Sequence, residues 1–185
     1  MVRTSWTCWL VTRRSCFVGI SLLSFSRVSV SSLKTEGGEV FVMLVFVYGT
    51  LRPRWGHELG RKLSHQGDFK GRAFVSGALY DYGDYPVAIP SVVRGDQIHG
   101  ELFDLDAGSS IWRELDDYED YHPSAPTESL FERCETRVFL ASGLEALGQV
   151  YWFRGSVEGL RRIESGDYLV DQSGRYGSSA SADCD

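Results

Sequence analysis

The sequence predicts a small α+β domain of five or so strands and one or two short helices, an arrangement able to close into a barrel. Three observations carry this expectation. Strand-like runs dominate from residue 43 onward, helical periodicity is confined to short stretches, and 185 residues with 43% hydrophobic content suffice for one core. The domain is expected over residues 43–171.

The elements follow in order. Residues 43–48 are a continuous β-branched and aromatic run, which suits a strand buried on both faces. Gly49 breaks it, and residues 50–53 read as a loop. A short helix is expected over residues 56–63. Residues 69–80 and 97–105 read as two long strands joined by the Gly/Pro-punctuated stretch 82–86. Ser109 or Ser110 can cap a helix whose apolar positions Ile111, Leu115 and Tyr118 recur at i, i+4 and i+7. Two more strands follow, over about 131–140 and 147–153. From Gln172 the chain is rich in Gly and Ser, and a disordered tail is expected over residues 172–185.

The first 42 residues differ in kind. Residues 1–34 hold five basic residues and no acid, and the stretch is rich in serine. That composition suits a transit peptide, while the apolar run over residues 16–25 faintly suggests a secretory signal. A third reading is upstream translation, because Met43 is the only methionine besides Met1 and directly precedes the first well-formed strand. On each reading residues 1–42 are a leader, expected to be disordered and set apart from the fold.

Charge and cysteine usage narrow the function classes. Residues 1–42 sum to +3, so the remainder carries −9 of the net −6. An acidic domain argues against nucleic acid as a partner. No run of about 18 apolar residues supports a membrane span. Cys134 is the one cysteine inside the expected domain. Neither a disulfide framework nor a zinc cage is expected, and a reducing, cytoplasmic compartment is. Organelle targeting by the leader is the alternative. His57, His65, His99 and His122 lack metal-binding spacing, so no metal is expected. P-loop, Rossmann and nucleophile-elbow motifs are missing from the sequence.

A loop and a carboxylate remain. At the exit of the first strand, residues 48–52 read Tyr-Gly-Thr-Leu-Arg. Without a Cβ at Gly49 a small ligand can approach the backbone, and the N–H groups of Thr50 and Leu51 can point at an anion or an oxyanion. The competing reading is an ordinary strand exit with Tyr48 packed in the core. The carboxylate is Glu119, four positions after Leu115 and so about 40° from it round the helix axis. A helix C-terminus, the neighbouring acids Glu114, Asp116, Asp117 and Asp120, and partial burial should all raise its pKa toward that of a base working near neutrality. The competing reading is a solvated acidic patch.

Residues 47–52, Val-Tyr-Gly-Thr-Leu-Arg, are followed in order by residues 77–81, Tyr85-Pro86, residues 99–103, Leu115-Asp116 with Glu119, residues 131–133 and residues 165–168. This series resembles the γ-glutamylcyclotransferase-like (AIG2-like) family over residues 44–168. The resemblance implies a small mixed β-barrel with short flanking helices and an enzyme that converts a γ-glutamyl amide to 5-oxoproline and a free amine. It also implies no cofactor, Tyr48, Gly49, Thr50 and Leu51 as the substrate-holding loop, and Glu119 as the catalytic base. The implied partner is a small γ-glutamyl substrate; neither the leaving amine nor the oligomeric state is legible.

Several positions depart from the family pattern. Asp120 stands where many relatives have glycine, Phe131 where tyrosine is common, and Gly56-His57 where Asn-His is common. Tyr82 and Tyr85 are candidates for the pocket or the core, Glu101 for a second acid or a structural ion pair, and Arg52 for a substrate contact or an ion pair. A non-catalytic ligand or interaction module is the alternative on the same fold. A lyase acting on a carrier-bound γ-glutamyl group is a third reading, disfavoured by the acidic domain.

Overall fold

A strand buried on both faces must have neighbours on both edges and layers above and below, and β3 (Val42–Val47) has all four. The computed structural model describes residues 33–35, 38–40, 42–125 and 127–177. Strand β3 lies between β6 (Gln97–Asp106), its antiparallel partner, and β8 (Glu145–Phe153), to which it runs parallel. The long strand β4 (Asp68–Asp81) pairs with β6 on one side and with β7 (Phe131–Leu140) on the other, and β7 pairs with β8. These five strands therefore close a mixed barrel in the order β4-β6-β3-β8-β7.

The second half of β4 leaves the barrel and pairs with β5 (Pro86–Pro90) and β9 (Arg161–Arg162). Strand β5 was expected as connection. Prolines at both of its ends hide a strand whose partners lie on the β4 half beyond the barrel.

Side-chain alternation along β3 divides the core in two. Phe46 points into a cluster with Val75, Ile98, Leu102, Val138, Val150 and Trp152. Val45 and Val47 face a second cluster under α1 (Glu58–Gln66) and α2 (Ile111–Tyr118), which supply Leu59, Leu63, Ile111 and Leu115. Helix α1 begins later than expected, because a 3-10 turn occupies Pro53–Trp55 and His57 caps the helix, its Nδ1 accepting from Leu59 N–H at 3.3 Å.

Two expectations about the ends need revision. Within the segment expected to be leader, β1 (Leu33–Thr35) and β2 (Gly38–Val40) pair as a sheet of their own, and residues 1–32 lie outside the described residues. The tail expected to be disordered from Gln172 starts instead as helix. Helix α3 spans Tyr168–Gly177, with Tyr168 and Gln172 buried, so packing outweighs the Gly/Ser composition there; residues 178–185 lie outside the description.

Arg52 ties these pieces together. Its side chain is only 7% exposed; Nε donates to Glu101 on β6 at 3.2 Å, and Nη1 to Asp167 at 2.7 Å. Asp167 Oδ1 also accepts from Leu169 N–H at 3.0 Å, so one guanidinium links the loop after β3, the barrel wall and the start of α3. Glu101 is thus a structural partner, and Arg52 is ion-paired. Replacing Arg52 with Met should cost about 3 kcal/mol in urea denaturation, because two partly buried carboxylates lose their counter-charge. A loss below about 1 kcal/mol would show that water screens the pairs.

Candidate active site

The site lies where β3 and β8 part. The one parallel pair between them is Val45 opposite Gln149, and beyond it a side chain crosses the gap. Tyr48 is buried, and its hydroxyl donates to the main-chain carbonyl of Tyr151 at 2.8 Å. Tyr48 packs in the core and also lines the cavity described below. Burial, then the charge of Glu119, holds its pKa well above the usual tyrosine value.

After Tyr48 the chain turns, with Arg52 N–H donating to the Gly49 carbonyl at 3.1 Å. Gly49 acts differently from the expectation. A Cβ there would stand 2.8 Å from Cγ of Pro86, so its bareness admits the proline ring of β5 rather than making direct room for a ligand. The N–H groups of Thr50 and Leu51 donate to no acceptor among the described residues. Leu51 anchors its end of the loop in the core beside Leu59 and Leu63, while Thr50 Oγ1 and the Tyr118 hydroxyl share a 2.8 Å hydrogen bond.

Glu119 arrives from the opposite side. Ile111, Trp112 and Leu115 bury one face of α2, and the Glu119 N–H closes on the Leu115 carbonyl at 3.0 Å. Two further bonds, Tyr121 N–H to Asp116 O at 2.8 Å and Asp120 N–H to Asp117 O at 3.3 Å, complete a Schellman ending. Asp120 therefore occupies the left-handed position, φ +48°, where glycine is usual.

The Glu119 carboxylate makes no hydrogen bond or ion pair with a described residue. Burial pushes its pKa from the ordinary 4.5 up to about 8. The helix end and the acidic neighbours, invoked above, add no resolved shift. Two of those neighbours are compensated, Glu114 by Lys62 and Asp116 by Arg133 and the Tyr151 hydroxyl, while Asp120 Oδ1 hydrogen-bonds His122 Nε2 at 2.9 Å.

Loop and carboxylate face one cavity of about 340 Å³, lined by Tyr48, Gly49, Thr50, Leu51 and Glu119. Tyr85 and Phe131 form part of its wall, and Leu130 extends it. Tyr82 stays outside, half exposed, its ring 5.4 Å from Phe153. Arg52 also points elsewhere. Reading the sequence missed Tyr118 and Tyr151 as lining residues. Tyr118 is adjacent to Glu119 in sequence, but its bond to Thr50 spans 68 positions and leaves no local signal.

Residues 45–170 match the family described as gamma-glutamyl cyclotransferase, AIG2-like. The chain belongs to this family. Among solved structures, an AIG2-like protein from Mus musculus is 26% identical, with TM-score 0.52, and the alignment covers 66% of this chain and 86% of that one. YkqA from Bacillus subtilis is 23% identical with TM-score 0.55 over 74% of this chain; the match spans 43% of the Bacillus protein's length. A uropathogenic E. coli-specific protein is 22% identical with TM-score 0.50, covering 72% and 96% of the two chains. The latter two likenesses show the AIG2-like fold alone. No curated protein matches this chain.

Two stability effects follow from the AIG2-like site geometry. Replacing Asp120 with Gly should stabilise the protein by about 1 kcal/mol, since relief of the left-handed backbone outweighs an exposed pair with His122. Unchanged or lower stability in urea would refute that. For Glu119 the folded chain holds a proton that the unfolded chain releases between pH 4.5 and about 8, so stability declines as pH rises through that window. Replacing Glu119 with Gln removes the decline, at most about 1.4 kcal/mol per pH unit. The Gln variant should therefore gain more in Tm over the wild type at pH 8.5 than at pH 5, and an equal gain at both would contradict the burial.

Proposed function

We propose that this protein is a γ-glutamyl cyclotransferase, releasing 5-oxoproline and a free amine or amino acid from a γ-glutamyl amide. The observation that carries the reading is the unpaired, half-buried carboxylate of Glu119 facing the donor loop across one small cavity. The reaction asks for little else. The substrate's own α-amine is the nucleophile, so binding has only to fold the chain until that nitrogen approaches the γ-carbonyl carbon.

Glu119, as carboxylate, takes a proton from the α-amino group. The nitrogen then bonds to the γ-carbon, closing a five-membered ring and placing negative charge on the carbonyl oxygen. The N–H groups of Thr50 and Leu51 are the donors for that oxygen or for the substrate's α-carboxylate. When the intermediate collapses, the bond to the leaving nitrogen breaks and Glu119 returns the proton to it. No electrons are exchanged, and all atoms of the substrate appear in 5-oxoproline and the amine.

A pKa of about 8 suits this shuttle, since the group must both take and return a proton near neutrality. A passive binding module has no need of it.

Assays of 5-oxoproline release from γ-glutamyl-alanine, γ-glutamyl-ε-lysine and glutathione test the proposal. Release from at least one is expected, with Glu119→Gln lowering kcat at least about 100-fold. kcat/KM should rise about tenfold per pH unit below 8 and level above it, as Glu119 ionises. Full turnover in the Gln variant would exclude Glu119 as the base.

A further inference from the structure

A second concavity, about 350 Å³, lies on the other side of the 48–52 loop, between the barrel wall and α3. Its charged lining is Arg52, Arg54, Arg72, His99 and Asp167. The single acid is already engaged, because Asp167 accepts from Arg52 Nη1 and from the first amides of α3. Arg54 and Arg72 are exposed and have no ion pair among the described residues, and the His99 ring has no hydrogen bond.

Arg52 supplies a further observation. It is 6% exposed, and its Nε and Nη1 are taken by Glu101 and Asp167, yet Nη2 has no partner among the described residues. Arg52 is itself one of the residues that line the groove. A buried guanidinium with one nitrogen unpartnered, lining a concavity beside two unpaired guanidiniums and an imidazole, forms a polar site able to take an acceptor. In a chain with net charge −6, two exposed arginines without an ion pair on one concavity depart from the overall composition.

We propose that this groove binds a small anion of two or more negative charges, presented as phosphate or carboxylate groups, at a site separate from the cavity of Glu119. Arg54 and Arg72 grip the anion from the rim, and Arg52 Nη2 donates from the floor. Ala73, Leu169 and Val170 also line the groove and give an apolar bed to any organic portion of the ligand. Since the same guanidinium holds the substrate loop to Glu101 and Asp167, occupancy draws on a contact that positions Thr50 and Leu51.

The site is testable without any assay of turnover. Pyrophosphate and citrate, one probe for each anion chemistry, are titrated by calorimetry against the full chain in about 0.1 M chloride, with ¹⁵N-amide shifts of His99 and Ser173 as the position readout. At least one probe should bind and move both amides. The double variant Arg54→Gln, Arg72→Gln should weaken it at least tenfold, while Glu119→Gln leaves it unchanged. Preference between the probes identifies phosphate or carboxylate as the recognised group. Absence of binding by both, equal affinity in the double variant, or loss of binding in Glu119→Gln would each overturn the proposal. Because Glu119→Gln is expected to be inert as a cyclotransferase yet intact here, failure of one reading leaves the other standing.

Discussion

The incomplete parallel pairing of β3 with β8 is the constraint on which the rest of the structure turns. An antiparallel neighbour, β6, holds β3 along its whole length, whereas β8 is in register with it only at Val45 and Gln149. Past that point the two strands part, and backbone groups that a full ladder would consume are left over. The Tyr151 carbonyl is satisfied by the Tyr48 hydroxyl; the N–H groups of Thr50 and Leu51 are not consumed. The turn that follows β3 thus presents free donors beside the point where the pairing with β8 ends. The cavity exists because hydrogen bonding stops before the protein does.

Glu119 faces the same kind of trade. An ionisable group with no counter-charge is costly to bury, and here the cost appears as a proton held to a higher pH. What keeps the carboxylate in place is main chain: the Schellman ending of α2 fixes its backbone, and Ile111 and Leu115 fix the helix. Side-chain pairs such as Lys62 with Glu114 and Arg133 with Asp116 absorb the surrounding negative charge, so burial alone sets the affinity for the proton.

Much of this was readable from residue order. The β-branched run before Gly49 and the i, i+4, i+7 spacing from Ile111 depend on neighbours within a few positions, and both elements form where that spacing places them. Strand β5 was not readable, because its two prolines speak locally against a strand while its partners lie on β4. Nor was the destination of Arg52, whose two acids stand 49 and 115 positions away. Gly49 showed that the backbone must be bare there, but not for whom; Pro86 comes from a segment that local pattern treats as connection. The positive φ of Asp120 was hinted at only by its standing where relatives have glycine, and its cause lies in the hydrogen bonds ending α2.

Tyr85, Leu130 and Phe131, which wall the cavity away from the loop, sit at the mouths of connections, while Glu119 and the turn after β3 are held by main-chain bonds and the barrel core. On the reaction proposed above, recognition of the departing half of a substrate and handling of its reacting half fall to different stretches of chain. Such a division lets one drift while the other is preserved. The rims of β5 and β7 can therefore change in sequence without disturbing the main-chain bonds that hold Glu119 and the turn after β3.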